Sequence, residues 1–152
     1  MRDRLQNLAA TLAGIVIGLV FNMSVLAAAA KLVPPPEGVD PMNAESLAAN
    51  IDRFGPEHFA GPFLAHALGT FVGALFAVRF SARRSLLSGW IVGAFFLLGG
   101  IMATTVIPAP AWFIALDLVG AYAPMAWLGG TLGLALRIDR PVASGQVPQK
   151  VR

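Results

Sequence analysis

Cysteine is absent from this chain. Disulfides, thiolate metal sites and cysteine nucleophiles are therefore excluded. Histidine occurs only at His58 and His66, and tyrosine only at Tyr122. The two histidines stand eight residues apart with Gly61-Pro62 between them, which is no recognisable metal-ligand spacing. Charge is scarce as well: 12% of residues are Asp, Glu, Lys or Arg, against 57% hydrophobic. That balance excludes an ordinary soluble domain and indicates an integral membrane protein. No phosphate loop, dinucleotide-binding glycine pattern or H-E-x-x-H is found. Ser24 has no G-x-S-x-G elbow around it. No metal, cofactor or catalytic residue is therefore expected.

Four long apolar runs dominate what is present. They cover about 8–32, 61–80, 86–107 and 112–136. Each reaches the roughly 20 residues a helix needs to cross the hydrocarbon. The short, strictly alternating segments of a membrane β-barrel are missing. The expected fold is all-α: an integral membrane four-helix bundle forming one domain over 1–140. Residues 141–152 are expected to be a flexible cytoplasmic tail. "MRDR" followed by an apolar stretch and "SVLAAAA" also has features of a secretory signal peptide. The run is longer than the usual h-region of about 7–15 residues, so a retained first span is the preferred reading.

Charge sets an expected orientation. Arg2, Arg4, Arg79, Arg83, Arg84, Arg137, Arg140, Lys150 and Arg152 lie at the N-terminus, in the second connection and at the C-terminus, leaving only Lys31 and Arg53 of the eleven basic residues. The first connection, 33–60, carries Glu37, Asp40, Glu45, Asp52 and Glu57. Positive charge stays inside, so both termini are expected in the cytoplasm and the acidic connection outside. The expected location is the inner membrane of a bacterium, and the expected partner is the lipid bilayer rather than nucleic acid. Within the connection, "VPPPEGVDP" should be extended. "DPMNAESLAANIDRF" predicts a short amphipathic helix capped by Asp40 or Asn43, with Leu47, Ile51 and Phe54 on one face and Gly55-Pro56 at its end.

Every span carries a G-x-x-x-G: Gly14/Gly18, Gly69/Gly73, Gly89/Gly93 and Gly129/Gly133. Small residues at this spacing let helix backbones approach closely in lipid. In the expected topology all four pairs lie in the inner half or near the midplane, so the bundle should be narrow there and wider outside. The polar residues of the spans lie towards the wider part: Asn22, His66, Thr104 with Thr105, and Asp117. Gly14, Gly18 and Asn22 share one helix face, as do His66, Gly69 and Gly73. Gly89, Gly93, Gly100 and Thr104 also share a side. The fourth span fits less well. Asp117 aligns with Gly120, Pro124 and Thr131, whereas Gly129 and Gly133 lie on another face; Pro124 could bend the helix to reconcile them, or that glycine pair could contact another subunit.

Intramembrane acids face the protein interior and find partners. His66 is the natural partner of Asp117, with Asn22, Thr104 and Tyr122 as hydrogen-bonding neighbours. The five form a candidate ligand-binding set. They could equally be a structural tie between helices. Trp90, Trp112 and Trp127 read as packing or interface aromatics.

The stretches "AHALGTFVGA" and "PAPAWFIALDL", with the acidic Pro-rich connection, resemble small uncharacterised four-span membrane proteins of bacteria. The resemblance implies the architecture and assigns no activity. Three functions remain open at this point. The first is a polar, outward-facing pocket that binds or helps transport an ion or small polar solute. The second is a non-catalytic accessory or scaffold subunit, in a homo-oligomer or against a partner membrane protein. The third is an enzyme acting on a lipid headgroup.

Overall fold

The computed structural model describes residues 1–137. The expected tail, 141–152, lies outside the described residues, as do 138–140. Helices account for most of the described residues: α1 (Arg2–Leu32), α2 (Ala44–Asn50), α3 (Pro56–Phe80), α4 (Leu87–Val106), α5 (Ala111–Gly120) and α6 (Ala123–Ala135). Among the described residues there is no strand. Four helical stretches are long and apolar enough to cross a membrane: α1, α3, α4 and the combined α5–α6.

The second span starts earlier than the apolar reading, at Pro56 rather than about residue 61, and ends at Phe80 as read. Gly55 is extended and Pro56 begins α3, so the Gly-Pro pair opens a helix as well as closing one. The chain then continues through Pro62 without a break. In the connection, the Asn43 side chain caps α2 by accepting from the Ser46 amide at 3.0 Å. Asp40 instead closes a local turn onto the Met42 amide at 2.9 Å. A single 3-10 turn, Ile51–Arg53, ends the segment. Leu47, Ile51 and Phe54 are all half-buried, and α2 touches α4. The connection folds back on its own proline segment. Arg53 donates to the Glu37 carbonyl at 2.9 Å, and His58 Nε2 to that of Pro34 at 3.2 Å.

α3 is the centre of the bundle, with α1 on one side, α6 on the other and α4 packed across them. The buried residues of α1, Ala10, Thr11, Gly14, Gly18 and Asn22, form one narrow stripe. Its other faces expose Leu5, Leu8, Leu12, Val16 and Val20. In lipid such residues gain nothing by leaving their surroundings, so close packing has to hold the helices together. The glycines permit it. A Cβ at Gly14 would fall 2.5 Å from the Gly73 carbonyl oxygen, and one at Gly18 would fall 2.7 Å from that of Gly69. The backbones of α1 and α3 therefore touch over two successive turns. On the opposite side of α3, a Cβ at Gly133 would fall 2.7 Å from the Leu75 carbonyl, and one at Gly129 would overlap that of Phe71. The glycines of the fourth span thus face α3 of the same chain. On α4, a Cβ at Gly93 would meet Ala126 of α6 at 2.5 Å.

The basic end of the bundle is tied by side chains. Gln6 donates to the Phe80 carbonyl at 3.1 Å, and Asn7 Oδ1 accepts from the Ala82 amide at 2.7 Å. Arg137, just beyond α6, donates to the Ser81 carbonyl at 2.5 Å and the Arg83 carbonyl at 2.7 Å. These carbonyls follow the end of α3, where a helix leaves acceptors without partners and favours a cation. Ser81 and Ser88 share a buried hydroxyl pair at 2.7 Å across the turn.

A leucine at Gly14 cannot be accommodated without separating α1 from α3. Gly14→Leu should lower stability by about 1–3 kcal/mol. Unfolding of the purified protein in detergent measures it, and an unchanged midpoint would contradict the packing described.

Candidate functional site

The site begins with a break in the fourth span. A proline cannot donate to the carbonyl four residues earlier, and its ring crowds that carbonyl. For Pro124 that residue is Gly120, where α5 ends. Ala121 and Tyr122 interrupt the helix, and α6 starts at Ala123 with the proline in its first turn. In an unbroken helix, residues five apart point about 140° away from one another. The break instead turns Tyr122 back towards Asp117, and the Tyr122 hydroxyl donates to Asp117 Oδ2 at 2.9 Å.

His66 of α3 completes a three-cornered cluster. Its Nδ1 lies 2.9 Å from both carboxylate oxygens of Asp117 and 3.1 Å from the Tyr122 hydroxyl. The imidazole and phenol rings stack at 5.8 Å with 27° between their planes. The carboxylate is the common acceptor, so the proton on the imidazole belongs on Nδ1. The other nitrogen, Nε2, is then a lone-pair acceptor, and it makes no hydrogen bond among the described residues. His58 is the reverse case. Its Nδ1 accepts from the Gly55 amide at 3.1 Å, which leaves the proton on Nε2 for the Pro34 carbonyl.

Burial differs across the cluster, and the difference matters. Asp117 and Tyr122 are buried, whereas the His66 side chain keeps 23% of its surface exposed. That surface contributes to a cavity of about 200 Å³ lined by Leu19, Asn22, His66, Phe95, Phe96, Gly99, Gly100, Ala103 and Tyr122. Asn22, across from α3 on α1, is buried and its Oδ1 has no hydrogen-bond partner. Thr70 is wholly buried one turn along α3 from His66, and its hydroxyl also lacks a partner. Buried polar atoms are paired in the great majority of cases, so the orphan on Asn22, a residue that lines the cavity, is consistent with something polar being accommodated there; Thr70 is not among the lining residues. A larger hollow runs along α1 past Leu19, Val20, Met23, Ser24 and Ala27. It offers no converging polar groups, because the one hydroxyl, of Ser24, already donates to Val20 at 2.8 Å.

Of the five candidate residues, three are in direct hydrogen-bond contact: His66, Asp117 and Tyr122. Asn22 shares their cavity without touching the cluster. Thr104 does not join them. Its hydroxyl donates to the Ile101 carbonyl of its own helix at 2.7 Å, the ordinary fate of a threonine in a lipid-facing helix. Thr105 does the same with Met102. One contributor was not evident from sequence: at Gly100 a Cβ would overlap the Tyr122 hydroxyl, so its absence admits the phenol against α4. Among the described residues no third metal-binding side chain joins His66 and Asp117. Protein-family models, curated proteins and solved structures contain no match to this chain.

The arrangement presents an oriented acceptor. A carboxylate that holds one imidazole nitrogen fixes the tautomer and leaves the other nitrogen as the acceptor. Tyr122→Phe should remove one donor from the carboxylate and cost about 1 kcal/mol in unfolding stability. Gly100→Ala should be more damaging in the wild-type background than in Tyr122→Phe, where the crowded hydroxyl is gone. Equal effects in both backgrounds would contradict the contact.

Proposed function

We propose that this is a multi-pass protein of a bacterial inner membrane, with both termini inside, whose outer half binds a small polar solute or cation. The orientation follows from the arginines gathered at the end where α1 begins and α3 and α6 finish. One observation supports the binding reading above the others. The cluster of Asp117, His66 and Tyr122 leaves the second imidazole nitrogen free at a cavity that also holds the unpartnered Asn22 amide oxygen. A purely structural tie would have no use for an open cavity and an unsatisfied acceptor beside it.

Below the cavity the bundle is closed. The contacts of Gly14 and Gly18 with α3, and of Gly93 with Ala126, leave no space between the helices there. A single chain therefore binds rather than conducts, and passage across the membrane would need more than one copy. Solutes that donate a hydrogen bond suit the site, because His66 Nε2 and Asn22 Oδ1 are both acceptors.

The test is a titration of the purified protein with methylammonium, followed through the ¹⁵N resonances of its two histidines. The His66 signal should move and that of His58 should not. Asn22→Leu should weaken the response at least tenfold while leaving the unfolding midpoint in place. Should His66 ignore the solute, with Asp117→Asn only lowering stability, the cluster is a tie between helices.

A further inference from the structure

We propose that the cavity receives a phenolic head on an apolar tail, of the alkylphenol or hydroquinol type, and that this ligand enters sideways from the bilayer between α1 and α4. The proposal rests on the reading of the cavity as a binding site; it replaces the water-borne solute or cation by a lipid-borne hydrogen-bond donor and adds the route.

The route follows from which lining residues are exposed. Leu19 on α1 and Phe95, Gly99 and Ala103 on α4 are exposed, whereas His66 and Tyr122 lie behind them. The mouth is thus the seam between those two helices. It lies deep. From Phe95 to the end of α4 at Val106 is about 17 Å, and from Leu19 to the end of α1 at Leu32 about 20 Å, at a rise of about 1.5 Å per residue. The hydrocarbon is about 30 Å thick, so the seam opens onto acyl chains and reaches mid-bilayer. A ligand using this opening must dissolve in lipid.

The class follows from volume and lining. A cavity of about 150 Å³ lined by apolar side chains holds a benzene ring. The space here, about 200 Å³, accepts one six-membered ring with a few substituents. Its walls include the rings of Phe95 and Phe96, and the stacked imidazole and phenol close the back. Aromatic walls favour an aromatic guest by offset or edge contact. No Lys or Arg lines the cavity, so a phosphate headgroup would find no counter-charge. At the cavity wall the unbonded His66 Nε2 calls for a donor, and the Asn22 amide can answer either a donor or an acceptor. A phenolic O–H on a ring supplies the donor and the shape together, and its tail lies in the seam.

Gly99 provides a variant that blocks the mouth without disturbing the fold. A Cβ there meets no atom within 4 Å, and the position is exposed. The experiment uses the full chain in lipid nanodiscs, with para-nonylphenol as ligand and nonylbenzene as the analogue lacking the hydroxyl. Para-nonylphenol should move the His66 ¹⁵N resonance and bind at least tenfold more tightly than nonylbenzene. Gly99→Phe should weaken it at least tenfold at an unchanged unfolding midpoint. Equal binding of the two compounds, or indifference to Gly99→Phe, would overturn the proposal. If para-nonylphenol leaves His66 unmoved while methylammonium shifts it, the phenolic class and lateral route fail and the pocket stands. If neither moves it, both readings fall.

Discussion

The contact of α3 with the backbones on either side of it is the constraint from which the rest of this structure follows. Lipid offers apolar helices no reward for associating, so cohesion depends on how many atoms come within dispersion range. Glycine removes the atom that would hold the backbones apart, and it does so on both flanks of one helix. α1 meets α3 at Gly14 and Gly18, and α6 meets it at Gly129 and Gly133. α1 stays close to α3 at the other end too, where a Cβ at Gly61 would fall 2.6 Å from that of Ala29. The cavity beside His66 lies instead between α1 and α4.

Polar groups are then placed where the bundle can satisfy them. Asp117 would be costly facing lipid, and it accepts from the imidazole on one helix and the phenol on its own span. Each partner is itself held: His66 by the helix that carries Gly69 and Gly73, Tyr122 by the space that Gly100 leaves. The cluster is therefore rigid at its base and open at one imidazole edge. Rigid support for one free acceptor is what a site needs and what a simple fastening between helices does not.

Much of this was legible in the residues themselves. The four crossings could be read because length and hydropathy in a membrane helix are set by bilayer thickness, a single external number. His66 and Asp117 could be paired because intramembrane charges are few and must find one another. Asn43 as the cap of α2 was one of two readings, and only the backbone geometry distinguishes it from Asp40. Thr104 misled because helical periodicity gives an angle and not a destination; its hydroxyl needed nothing beyond its own helix. The role of Tyr122 was hidden by the same regularity. Its position relative to Asp117 depends on a broken turn, and a proline states that a helix is disturbed without stating where the next side chain goes. Thr70 gave no signal apart from its spacing, because a buried orphan hydroxyl is defined by neighbours that sequence does not supply.

The break after Gly120 has a mechanical consequence. α6 is fastened twice, by its glycines along α3 and by Arg137 gripping the turn after α3. α5 is held by side chains instead: Asp117 on His66, Phe113 and Trp112 against Phe59, and Phe63 beside Gly120. The fourth span is thus two pieces joined at Ala121 and Tyr122, a post packed against backbone and a lever held by side chains. The carboxylate rides on the lever, the phenol sits at the pivot and the imidazole stands on the frame. A tilt of α5 about that break would change the distance from Asp117 to His66, because the carboxylate and the imidazole stand on different pieces of the bundle.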